Sequence, residues 1–179
     1  MDYRLYIVFS ESVLNTMYEY YSEALVLATE PVGEFDTRFS LFTKRFGKII
    51  ARGKRSRKIT SKLSPHLQPG NVVAVRAVER QGLRVVDALK KANLGHQPYD
   101  LALLNRLLPE AEVDEGLWTT LFREPFDWKK VLAYLGWDPR GAMCSRCKTG
   151  KPEVFEVRSQ EFFCGFCASK LGESEVISI

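Results

Sequence analysis

The spacing of apolar residues changes once along the chain. From Glu23 to Ala88 they recur at every second position, and beyond Lys91 at every third and fourth. In EALVLATE, starting at Glu23, Ala24, Val26 and Ala28 alternate with Leu25, Leu27 and Thr29, which predicts a strand buried largely on both faces. Pro31, Val32, Gly33 and Glu34 turn the chain, and Thr37 to Thr43 alternates again, with Phe39 and Leu41 opposite Arg38, Ser40 and Phe42. Phe46-Gly47 breaks the pattern before a third strand, Lys48 to Arg52. Pro69-Gly70 precedes a fourth, Asn71 to Glu79, and Gln81-Gly82 forms a hairpin tip to a fifth, Leu83 to Ala88. So short a sheet would leave unpaired edges, so the pattern predicts closure into a small β-barrel of the OB class.

The helical part is simpler. Gln97-Pro98 opens a helix with Leu101, Leu104, Leu107 and Leu108 on one face, ended by Pro109. Asp114 caps a second with Leu117, Trp118, Leu121 and Phe122, and Asp127 a third with Trp128, Val131, Leu132 and Leu135, stopped by Gly136 and Pro139. These stripes read as core, and the helices are expected to pack against the barrel. Residues 1–22 are rich in tyrosine and show no clean period. They are read as an extension of undefined structure, with Met17 as an alternative start. The expected organisation is therefore an extension at 1–22, the barrel at 23–91, a helical segment at 92–143, a metal-binding segment at 144–170 and a tail at 171–179.

Composition fits a globular protein: 179 residues, 45% hydrophobic and 27% charged. No apolar run approaches the ~18 residues of a spanning helix, and the apolar patch ended by Ser10 and Glu11 lacks a convincing cleavage site. A cytoplasmic location is expected.

Charge adds more. Residues 44–62 hold nine Lys or Arg (Lys44, Arg45, Lys48, Arg52, Lys54, Arg55, Arg57, Lys58 and Lys62) and no acid. The whole chain carries +4, so the rest must sum to −5, that is +4 minus +9. A solvated face usually mixes both signs, so an acid-free block predicts a surface that meets a polyanion. Arg38 is a weaker addition. Phe39, Phe42 and Phe46 flank the block as candidates for base stacking, although their alternation places at least two of them in the core.

All four cysteines form two Cys-x-x-Cys pairs, Cys144/Cys147 and Cys164/Cys167, sixteen residues apart. Four thiolates so spaced suit a closed tetrahedral Zn²⁺ site with a structural role, with an iron–sulfur cluster or a redox dithiol as alternatives. Arg146, Lys148, Lys151 and Lys170 surround the pairs and are expected to lower the thiol pKa values. His66 and His96 stand alone, Glu34 and Asp36 read as turn-capping groups, and no Gly-rich phosphate loop is present. No catalytic residue is assigned, and the chain is read as a non-enzyme.

Taken in order, EALVLATEPVGEFDTRFSLFTKRFGKIIARGKR, LSPHLQPGNVVAV and RQGLRVVDA resemble the N-terminal OB domain of the bacterial RecO family of DNA-repair proteins. LLNRLLPE, DEGLW and VLAYLGWDP, leading into Cys144, look like the helical region before that family's four-cysteine zinc site. The resemblance implies binding of single- and double-stranded DNA, annealing of complementary strands, and work with RecR and the single-stranded-DNA-binding protein in RecF-pathway recombinational repair at the bacterial nucleoid. The nine basic residues above are the DNA surface it implies. The chain ends twelve residues after Cys167, where the family usually continues with further helices, so a shortened second domain is expected. Two other classes fit the composition: an RNA- or ribosome-associated OB plus zinc-ribbon protein, and an adaptor whose barrel binds a partner's acidic tail.

Overall fold

Alternation of apolar and polar residues becomes five strands in the computed structural model, which describes residues 17–58, 60–123, 125–172 and 175–179. They are β1 (Tyr18–Val32), β2 (Asp36–Thr43), β3 (Gly47–Gly53), β4 (Asn71–Glu79) and β5 (Leu83–Asn93). The strands close as a barrel in the order β1-β2-β3-β5-β4, with β4 returning to β1. All neighbours are antiparallel except β3 and β5, which meet in parallel where Arg52 faces Arg84. Closure gives every strand two partners and removes the exposed edges that a five-stranded sheet would present.

Two boundaries differ from expectation. β1 begins at Tyr18, because residues 18–23 pair with β4 from Glu79 to Ala74; that part of the 1–22 segment belongs to the barrel. Residues 1–16 lie outside the described residues. β5 runs on to Asn93 for the same reason, pairing with β4 as far as Asn71. The long β1 serves two neighbours by bending: its register with β2 skips Leu27 between Val26 and Ala28, a bulge that raises local twist.

Inside the barrel, Ala24, Val26, Phe39, Leu41, Ala51, Val73, Val75, Val85 and Ala88 form one core, plugged by Leu67 from the β3–β4 connection. Residues 24–27 are all buried, as the two-faced pattern predicted. The outer side of β1 is covered by α1 (Pro98–Leu107), whose Leu101, Leu103, Leu104 and Leu107 are buried. Pro98 occupies its first turn, where a missing N–H costs nothing.

The chain divides after Asp114 into two compact units, so the helical segment expected at 92–143 is split: α1 belongs with the barrel. The second unit holds α2 (Glu115–Leu121), α3 (Trp128–Tyr134), a 3-10 turn at Pro139–Gly141, β6 (Val154–Glu156), β7 (Glu161–Phe163), α4 (Gly165–Ala168) and β8 (Val176–Ser178). Asp127 caps α3 by accepting the Lys129 N–H at 2.9 Å. The expected tail supplies β8, which pairs with β6 in the order β7-β6-β8. Phe155 centres this unit, with Trp137 and Phe162 rings 5.2 and 5.1 Å away. Among the described residues no helix is long and apolar enough to cross a membrane.

Candidate nucleic-acid interface and metal centre

The nine-residue basic block does not form one patch. β3 separates it into a β2–β3 turn with Lys44 and Arg45 and a β3–β4 connection with Lys54, Arg55, Arg57, Lys58 and Lys62. Seven residues of strand lie between these ends, a span of about 20 Å. All of these side chains are exposed, as is Arg52 near the end of β3.

Lys48 is the exception and leaves the surface. It is buried at 9% exposure, and its ammonium donates to the Asn105 carbonyl near the end of α1 at 2.9 Å. A carbonyl at a helix C-terminus is where a cation is favoured, so this lysine clamps α1 to the barrel. The Ala111 N–H donates to the Lys48 carbonyl at 2.9 Å, which extends the same clamp through the backbone. Gly47, at φ +66°, lies directly against the backbone of Glu112, where no Cβ fits.

The ladder adds a residue that sequence reading missed. Arg38 faces Arg52 across β2 and β3, and Arg52 faces Arg84 across β3 and β5. Facing residues of paired strands project to the same side, so three arginines form a row outside the barrel, leading to the basic connection. Arg84 is remote in sequence and sits in an ordinary alternating strand, so only the strand order brings it in. The row is partly balanced: Arg52 Nε lies 2.9 Å from Asp36 Oδ2, and Arg38 lies 3.5 Å from Glu30.

The β1–β2 turn holds the basic connection in place. Asp36 Oδ1 accepts the Arg55 N–H at 2.8 Å, which secures a residue with φ +52°. The Arg57 N–H donates to the Phe35 carbonyl at 2.9 Å, and its guanidinium to the Gly33 carbonyl at 3.2 Å. The Arg55 N–H, with the Arg52 guanidinium, keeps the Asp36 carboxyl below its usual pKa, against a smaller opposing effect of burial. Asp36 therefore does more than cap its own turn.

The aromatic candidates resolve by burial. Phe39 and Phe42 are 2% exposed and belong to the interior, as their alternation predicted. Phe46 packs edge-on against Tyr20 at 5.1 Å, with the Arg45 guanidinium 5.5 Å from its ring centre. Phe35, in the turn rather than in a strand, is exposed. His66 is spent on the fold: its Nδ1 accepts the Lys90 N–H at 3.2 Å.

In the second unit the four cysteines converge. Cys144 and Cys147 come from the turn before β6, Cys164 is the N-cap of the short α4, and Cys167 lies within that helix. Their sulfurs all lie within 4.8 Å of one another, and those of Cys147 and Cys164 are 3.9 Å apart. A tetrahedron of sulfurs ~2.3 Å from a central ion has edges of about 3.8 Å, so four Cys sulfurs in this arrangement fit a metal ion. Gly150 packs directly on the Cys164 side chain, which lets the two knuckles close. Cys147 is pulled down to a pKa of about 5 by the Thr149 hydroxyl and the Thr149 and Gly150 N–H groups. Cys144 is lowered mainly by the Cys147 N–H. Backbone and hydroxyl donors, not the neighbouring lysines, are thus the leading cause. Lys170 instead sits 3.9 Å over the Phe166 ring. Cys167 is pushed up to about 12, first by burial and then by the other sulfurs, a penalty that a bound cation removes.

Comparison with known proteins agrees with the barrel. Residues 17–94 match the family model described as Recombination protein O N terminal. The DNA repair protein RecO of Geobacter sulfurreducens is 34% identical over 99 residues, covering 49% of this chain and 41% of that protein. RecO of Cutibacterium acnes is 36% identical over 67 residues, or 37% of this chain and 27% of its own. RecO of Bifidobacterium longum aligns more widely, at 24% identity over 179 residues, 81% of this chain and 72% of that protein. The chain thus spans less than half the length of the first two relatives. The barrel strands all lie inside the matched region, so it is the barrel that is similar to the N-terminal part of the RecO proteins.

Proposed function

We propose that this protein binds DNA without sequence specificity and promotes annealing of single strands in recombinational DNA repair. The observation that carries the reading is the run of positive charge formed by Arg38, Arg52 and Arg84 with the connection bearing Lys54, Arg55, Arg57 and Lys58. The strand order is that of an OB fold, a barrel that often binds oligonucleotides on its outer strands and loops. The repair role is supported by the RecO relatives.

No bond need be made or broken. Cations along the outer strands neutralise phosphates on two strands, reduce their repulsion and leave the bases free to find complements. Counterion release drives such binding, with log K falling by ~0.7–0.9 per neutralised phosphate for each decade of salt. No groove-reading helix is required, so sequence preference is weak. Lys44 and Arg45, at the other end of β3, offer a separate, weaker phosphate contact.

In the second unit Cys144, Cys147, Cys164 and Cys167 would hold a structural Zn²⁺. Zinc accepts four sulfurs in a tetrahedron and leaves no open position for catalysis, so its contribution is folding free energy. The family resemblance further implies RecR and the single-stranded-DNA-binding protein as partners, in the bacterial cytoplasm at the nucleoid.

The test is annealing of two dye-labelled complementary oligonucleotides across a salt series, with Arg55→Ala/Arg57→Ala/Lys58→Ala alongside. Fast annealing that weakens with salt and collapses in the triple variant supports the reading. A zinc-loaded, folded protein that binds no nucleic acid refutes it.

A further inference from the structure

The turn between β1 and β2 carries an aromatic ring where a soluble barrel has no structural need for one. Phe35 is 41% exposed, contributes nothing to the barrel core and sits between the exposed Glu34 and the half-buried Asp36. Its backbone is nonetheless fixed. The Phe35 carbonyl accepts the Arg57 N–H at 2.9 Å, and the next residue, Asp36, accepts the Arg55 N–H at 2.8 Å. The Lys58 ammonium lies 5.0 Å from the ring centroid, within cation–π range. The ring is thus placed among Arg55, Arg57 and Lys58, the residues best positioned to hold a phosphate chain.

We infer that Phe35 is a base-stacking platform that makes the interface selective for unpaired strands. This rests on the nucleic-acid-binding reading above and adds a residue and a preference to it. The recurring design of single-strand binders is a cationic track with an aromatic face on which a base can lie. Bases of a duplex are already stacked and paired, so the ring has nothing to receive from them, while the surrounding cations serve both forms. An exposed apolar ring is tolerated in water at some cost in solubility, and a nucleobase is the flat partner that suits both the ring and its charges. The cation–π contact and the Arg57–Phe35 backbone bond hold the platform before the strand arrives, so little ordering entropy is lost on binding.

The experiment compares wild type, Phe35→Leu, Phe35→Ala and Phe35→Tyr for binding a single-stranded oligonucleotide carrying 2-aminopurine, and for binding the matching duplex, each over a salt series. Phe35→Leu and Phe35→Ala are expected to weaken single-strand binding roughly tenfold. They should leave duplex binding and both salt slopes in place and abolish the stacking-induced fluorescence change, and Phe35→Tyr should restore it. Wild-type single-strand affinity in Phe35→Leu, or equal losses for single strand and duplex, overturns the inference while leaving the barrel's nucleic-acid role standing. Absence of binding by wild type overturns both.

Discussion

Arg52 and Arg84 face each other across the parallel seam that closes the barrel. Like charges placed directly opposite on neighbouring strands cost stability, and here Asp36, 2.9 Å from Arg52, offsets part of that cost on the Arg52 side. A polyanion laid across the seam removes that repulsion, which is why the row reads as a binding feature rather than a packing one.

Replacing Arg84 with Ala should therefore separate stability from binding. Relief of the repulsion is worth about 0.2–1 kcal/mol, so urea unfolding should show an unchanged or slightly raised midpoint. Nucleic-acid affinity should fall, and the salt slope should shrink by about 0.7–0.9 for the phosphate no longer neutralised. An unaltered salt slope would remove Arg84 from the interface.

Lys48 should behave in the opposite way. Lys48→Met keeps the aliphatic stem but leaves the Asn105 carbonyl without its donor. A charged hydrogen bond of this kind contributes about 1.5–3 kcal/mol, so the variant should unfold at lower denaturant while the folded fraction binds with wild-type salt dependence.

Asp36 gives the basic connection a pH dependence. Its carboxyl titrates below the unfolded value because the charged form accepts the Arg55 N–H and lies beside Arg52. A depressed folded pKa means that the contribution is present above the unfolded pKa and is lost as pH falls through the folded one. Below about pH 4 the Arg55 amide should lose protection from exchange and its resonance should shift with the Asp36 titration. Asp36→Ala should show the loosened amide already at neutral pH.

Loss of metal should act on one unit alone. Cys147→Ser, or treatment with a strong chelator, is expected to lower bound zinc and unfold the region around β6 and β7. The barrel, a separate compact unit ending at Asp114, should keep its own unfolding transition and its affinity for a single strand. Joint loss of both transitions in one step would contradict this.

How much was legible in the sequence depends on the range over which each feature is encoded. Period-two alternation in β2 to β4, the leucine stripe of α1, the Asp127 cap and the paired cysteines were all readable, because each arises from backbone geometry or chelate spacing within a few residues. The likeness to the RecO proteins was readable too, from the order of short motifs. The long reach of β1 from Tyr18 and the strand β8 in the tail were not, since both exist only through partners far along the chain, β4 and β6.

Within the candidate interface, the sequence by itself determined that a dense block of positive charge spans the end of the second strand, the third strand and the connection to the fourth, and that at least two of Phe39, Phe42 and Phe46 belong to a core. Only the tertiary structure decided which charges reach solvent. Strand β3 drives the two ends of the block apart, α1 captures Lys48, the ladder carries Arg84 beside Arg52, and the β1–β2 turn leaves Phe35 exposed among the cations. The reason is physical: alternation assigns a residue to one face of its own strand, whereas barrel closure and inter-strand register assign its neighbours.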